Sequence, residues 1–125
     1  MEYGIYEVVH GKSSLVGKMP GNIEEKLANL RLSYAYYMTH PGKKLIFMGQ
    51  DIAEFDEWNE GRCVQWDLLK CPEHKGINTL CNELNHMYLM EEALYAADNE
   101  PAGFEWLNAI SAKECYLSYL RKGTK

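Results

Sequence analysis

From Asn22 onward, apolar residues return every three or four positions, at Ile23, Leu27, Leu30, Tyr34 and Met38. That spacing lays one apolar stripe along an α-helix. Asn22 is placed to cap it, Glu25 three residues on completes a capping box, and Glu24 and Glu25 suit the positive end of the helix dipole. His40-Pro41-Gly42 stops it, because proline cannot continue a helix and disfavours helical geometry in the residue before. Leu45-Ile46-Phe47-Met48 follows, an unbroken apolar run before Gly49 that predicts a parallel strand buried on both faces. Gln50 to Lys70 holds no sustained period and predicts a long irregular loop with at most one helical turn. Loops of that length are usually functional or cut from something larger.

A second amphipathic helix is predicted from about Glu73 to Glu92, with Ile77, Leu80, Cys81, Leu84, Met87 and Tyr88 on one face. Asn99-Glu100-Pro101-Ala102-Gly103 breaks the pattern. Phe104 to Ile110 and Glu114 to Leu120 then predict two strands of an antiparallel hairpin joined by a short turn. Helix, buried strand, long loop and helix make an α/β segment, and the change to β character places a boundary near Pro101.

Composition narrows the class. The chain has 125 residues, 46% hydrophobic and 25% charged, with four prolines, as an ordinary folded domain does. A net charge of -5 and a pI near 5.3 speak against nucleic-acid or anionic-membrane partners, which need clustered Lys and Arg. The adjacent basic pairs Lys43-Lys44 and Arg121-Lys122 flank strand-like runs, where charge is ordinary solvation. The first six residues, Met-Glu-Tyr-Gly-Ile-Tyr, carry no secretory pattern, and no apolar run approaches the roughly 20 residues of a membrane helix. A cytoplasmic location is expected, with Cys63, Cys71, Cys81 and Cys115 kept as thiols.

Three constellations invite chemistry. His10, His40, His74 and His86, with Cys71 and Cys81, raise a metal site, but the paired close spacings of structural zinc are missing and packed or solvated roles are expected. No metal and no cofactor are expected. Gly11, Gly17 and Gly21 among Lys12 and Lys18 raise a phosphate loop, yet the Walker spacing would require glycine at Val16. Glu54, Asp56, Glu57 and Glu60 around Trp58-Asn59 have the chemistry of a carbohydrate site: carboxylates to hold hydroxyls and an indole to stack on a sugar. An equally good reading is a solvated acidic loop with Trp58 and Trp66 packed inward.

Read as strings, the residues resemble a known family. Glu7-Val8-Val9-His10-Gly11-Lys12-Ser13-Ser14-Leu15, Gly17-Lys18-Met19-Pro20-Gly21, His40-Pro41-Gly42-Lys43-Lys44-Leu45, Phe47-Met48-Gly49-Gln50 and Glu57-Trp58-Asn59-Glu60 are similar to bacterial glycogen branching enzymes of the α-amylase superfamily. Pro72-Glu73-His74-Lys75-Gly76, Gly103-Phe104-Glu105-Trp106 and Leu117-Ser118-Tyr119-Leu120-Arg121-Lys122-Gly123 continue the likeness in order, from about Glu7 to Gly123.

The resemblance implies that residues 1–100 are the last portion of a (β/α)8 barrel and residues 101–125 the start of an all-β C-terminal domain. A whole barrel takes about 250 residues, so this chain cannot close one alone. The implied reaction cuts an α-1,4-glucan and transfers the segment to form an α-1,6 branch, with retention, using two carboxylates. Both belong upstream of anything present here, so no residue of this chain is assigned a catalytic role. A third acid and its histidine belong just before Glu7 in a Ser-His-Asp-Glu string, where this chain has Gly4-Ile5-Tyr6-Glu7. Catalysis by the chain alone is therefore not expected, and residues 1–6 look unrelated to the family. Glu7, Trp58 and Asn59 are the substrate-binding candidates. The implied partners are α-glucan through a parent enzyme and, for faces made to meet absent neighbours, a second copy or a complementary barrel piece.

Overall fold

A computed structural model describes residues 10–124. Two long helices carry the fold, α2 (Ile23–Thr39) and α3 (Pro72–Met90), preceded by the short α1 (Leu15–Lys18) and followed by a two-stranded antiparallel sheet of β1 (Phe104–Asn108) and β2 (Ser118–Arg121). No helix among the described residues is long and apolar enough to cross a membrane.

The start of α2 matches its sequence signal. The Asn22 side chain accepts from the Glu25 amide at 3.0 Å, and the Glu25 carboxylate accepts from the Asn22 amide at 2.7 Å. Both donors would otherwise lack intrahelical partners. Lys26, one turn in, closes the end of α1 by donating to the carbonyls of Gly17 and Met19. Cys71 precedes α3 and Pro72 opens it at the first helical position, where proline's missing donor is no loss.

The helices meet along the predicted stripes, except at Ile23, which the first turn of α2 leaves exposed. Leu27, Leu30, Tyr34 and Met38 of α2 bury against Ile77, Cys81 and Leu84 of α3, with Val16 and Ala53 closing the cluster. Burial also pushes the Cys81 thiol up to about 12, which holds it neutral. Tyr34 donates its hydroxyl to the Gln50 carbonyl at 2.5 Å, giving this core aromatic the partner its polar tip needs.

The strand expected at Leu45–Met48 does not form among the described residues. A strand needs a ladder of backbone partners, and here side chains take that role. The Tyr37 hydroxyl accepts from the Leu45 amide and donates to the Leu45 carbonyl, while the Gln50 side chain accepts from the Phe47 amide at 2.9 Å. Nor is the segment buried on both faces, since Leu45 is exposed.

The segment from Gln50 to Lys70 contains two 3-10 turns rather than one helical turn at most, Gln50–Ile52 and Trp66–Lys70. The first is held from α3 by His74, whose Nδ1 lies 2.8 Å from the Ile52 carbonyl. The hairpin is antiparallel as expected, with Trp106 opposite Tyr119 and an irregularity between Trp106 and Asn108. Its connection is longer than the short turn predicted, because β2 starts only at Ser118. Asn108 organises that loop: its Nδ2 donates to Ser111 and Tyr116, and its Oδ1 accepts from the Ile110 amide.

Candidate functional site

The acidic loop around Trp58 is built on a tight turn. Gly49 has φ 78°, and a methyl group there would overlap the Glu54 carboxylate. The left-handed geometry lets the Glu54 amide bond back to the Gly49 carbonyl at 3.0 Å and turns its side chain inward, to 6% exposure. Arg62 answers that buried charge. Its guanidinium reaches Glu54 at 3.4 Å, Asp56 at 3.2 Å and the Glu57 carbonyl at 3.2 Å.

The remaining acids are also engaged. Gln65 donates to Asp56 at 2.8 Å, the Lys12 amide donates to Glu57 at 2.9 Å, and His10 lies 3.3 Å from Glu60. Hydrogen bonds from Arg62 and then Gln65 hold Asp56 below the usual carboxylate range. The loop is thus a cross-linked unit. Ser14 adds a further tie by donating to the Phe55 carbonyl at 2.7 Å.

Trp58 is half-buried in this unit. His10 stacks on its face at 4.0 Å and Phe47 meets it edge-on at 5.2 Å. Its Nε1 is buried and has no hydrogen-bond partner among the described residues. Asn59 is exposed beside it, and its side chain is spent on the Gly61 amide at 2.7 Å. Trp66 faces outward at 58% exposure, so of the two tryptophans only Trp58 packs inward. Glu7 lies outside the described residues. Among those described, no group of three or more His, Cys, Asp or Glu converges as a metal site would require.

A second polar cluster escaped sequence reading. The Asp98 side chain, 2% exposed, accepts from Arg121 at 2.7 Å and sits 3.6 Å from the Lys43 ammonium. Arg121, whose side chain is 5% exposed, donates in addition to the Thr39 carbonyl at 3.0 Å, at the last turn of α2. The Thr39 and Tyr119 hydroxyls bond to each other, and His40 meets Phe104 at 5.6 Å. Lys44 lies between the rings of Tyr37 and Tyr88, with burial bringing its amine down to about 8. One member of each basic pair read as a solvated strand end, Lys43 and Arg121, thus meets the other at one buried carboxylate, while Lys122 pairs with Glu105. The signal was present in the strings around them but not in any period.

No protein-family model matches the chain. Individual relatives do. The 1,4-alpha-glucan branching enzyme GlgB of Aquifex aeolicus is 47% identical over 93% of this chain, that of Rhodopirellula baltica 49% over 95%, and that of Geobacillus stearothermophilus 46% over 95%. Identity of that level over 93–95% of the chain decides the relationship. The chain corresponds to one part of a GlgB branching enzyme. It spans only 18%, 16% and 19% of the lengths of those three branching enzymes. Both clusters described above therefore belong to a segment that the branching enzymes carry within a much longer chain.

Proposed function

We propose that this chain is a piece of a glycogen branching enzyme, residues 1–100 forming the last portion of its (β/α)8 catalytic barrel and residues 101–125 opening its all-β C-terminal domain. In the full-length parent the piece serves the cutting of an α-1,4-glucan and transfer of the segment to an α-1,6 branch point. Alone it is inert. The observation that carries this reading is the combination of 46–49% identity over 93–95% of the chain with coverage of less than a fifth of each branching enzyme.

The acidic loop supports the inert reading. A general acid needs its proton held at working pH, usually through a raised carboxylate pKa. Here Asp56 is shifted the opposite way by Arg62 and Gln65, and Glu54 is closed in an ion pair. Trp58 and Asn59, with Glu7, remain candidates to line a glucan site only when the rest of a parent enzyme surrounds them. Exposed apolar side chains at Leu32, Leu107, Ile110 and Leu117 support a protein partner, either a second copy or a complementary barrel piece.

Incubating purified chain with amylose and following the iodine complex tests the reading. Undiminished blue absorbance is expected. Its loss, with new α-1,6 linkages on debranching analysis, would give the chain an activity of its own. Maltoheptaose titration in the same buffer separates an inert piece, which leaves tryptophan fluorescence flat, from a glucan-binding module, which gives a saturable change.

A further inference from the structure

The junction between α2 and the hairpin holds an imidazole where a positive charge is poorly tolerated. His40 follows the last residue of α2, and its ring lies 5.0 Å from Tyr36 and 5.6 Å from Phe104 of β1. The His40 Nδ1 is buried and has no hydrogen-bond partner among the described residues. Charged groups approach from each neighbouring element. Lys44 donates to the His40 carbonyl from the segment that follows, and Arg121 of β2 donates to the adjoining Thr39 carbonyl. Behind them, Lys43 and Arg121 share the Asp98 carboxylate, which also accepts from Tyr88 of α3.

Lys43, Lys44 and Arg121 therefore crowd one described carboxylate before the imidazole is charged. Burial first, and then repulsion from positive charges that include Lys44 and Arg121, holds His40 below the usual imidazole range. Several ties that dock the hairpin converge on the same spot: Phe104 against His40, Tyr119 on Thr39, and Arg121 on Thr39 and Asp98. The α2–α3 contact runs along Leu27, Leu30, Tyr34 and Met38 against Ile77, Cys81 and Leu84, and no histidine belongs to that buried cluster.

We propose that His40 is an acid-sensitive hinge: protonation of its ring loosens the hairpin from the end of α2 while the two long helices stay packed. The sign follows from linkage. A histidine whose charged form is disfavoured in the docked state stabilises docking fully above its free value, near 6.5, and that contribution is lost as pH falls through the lowered docked value. Glucan chemistry enters nowhere, so the hinge stands or falls separately from the branching-enzyme reading.

Hydrogen exchange on the whole chain at pH about 7.5 and about 5.0, corrected for the intrinsic pH dependence of exchange, reads the hinge directly. Amides of Phe104–Asn108 and Ser118–Arg121 are expected to lose protection several-fold at the lower pH, while those of Ile77 to Leu84 keep theirs. His40→Phe preserves an aromatic ring against Tyr36 and Phe104 but cannot titrate, and is expected to keep the hairpin protected in acid. Equal hairpin protection at both pH values in the unmodified chain, or equal acid loss in His40→Phe, overturns the proposal. Should His40→Phe fail to fold, NMR titration of the unmodified chain decides instead. The His40 ring and the Trp106 indole are expected to shift in step, and a ring that titrates while the indole stays still overturns the hinge.

Discussion

Arg62 shows how much one side chain settles in this chain. Glu54 is folded under the Gly49 turn and would be a buried, uncompensated charge without the guanidinium beside it. Breaking such a pair from one side costs more than the pair itself contributes, because the desolvated partner is left behind. Arg62→Met is expected to destabilise the chain by about 1–3 kcal/mol, with Arg62→Lys only partly restoring it, since an ammonium cannot span two carboxylates and a carbonyl as the planar guanidinium does. Urea midpoints of the three proteins check this, and an unchanged midpoint for Arg62→Met would sink it. The sequence offered both carbohydrate lining and solvated loop for these acids. Nothing in the local pattern singled out Arg62 as the residue that ties them together, because its partners are set by the turn at Gly49 and the left-handed Ala53.

At the scale of elements, legibility followed the range of the interactions. The capping box of α2 involves residues three apart, so Asn22 and Glu25 could be read directly and the helix begins where they place it. Asn22→Ala is expected to lower stability by about 1 kcal/mol. Thermal unfolding monitored by helical circular dichroism tests that, and an unaltered midpoint would mean the cap adds nothing beyond packing. The stripe of α3 was equally readable, since its period is local and its burial falls on Ile77, Cys81 and Leu84. Leu45–Met48 was not. Apolar composition gives a strand its tendency, but a ladder needs partners from distant sequence, and among the described residues Tyr37 and Gln50 side chains occupy the groups it would use. The hairpin fell between these cases: its antiparallel sense was legible, its long connection was not, because the Asn108 side chain rather than turn chemistry arranges it.

For the whole molecule, exposed apolar side chains are the feature to explain. Leu32 on α2 and Leu107, Ile110 and Leu117 in the hairpin region stay about half or more exposed, as expected of a segment that the branching enzymes hold within a longer chain. The proposed partner surfaces predict association, and light scattering across a concentration series is expected to show mass rising above that of a single chain. A constant monomer mass at the highest concentration would contradict it. The latch at Arg121 carries a consequence of another kind. Its bond to Thr39 spans 82 positions, whereas the helical pair is complete by Met90. The two helices can therefore pack before the arginine that fastens the hairpin reaches its carbonyl. Closing so long a loop is entropically costly and rewards the chain late. Weakening Arg121 should accordingly hasten unfolding and leave the folding rate nearly untouched.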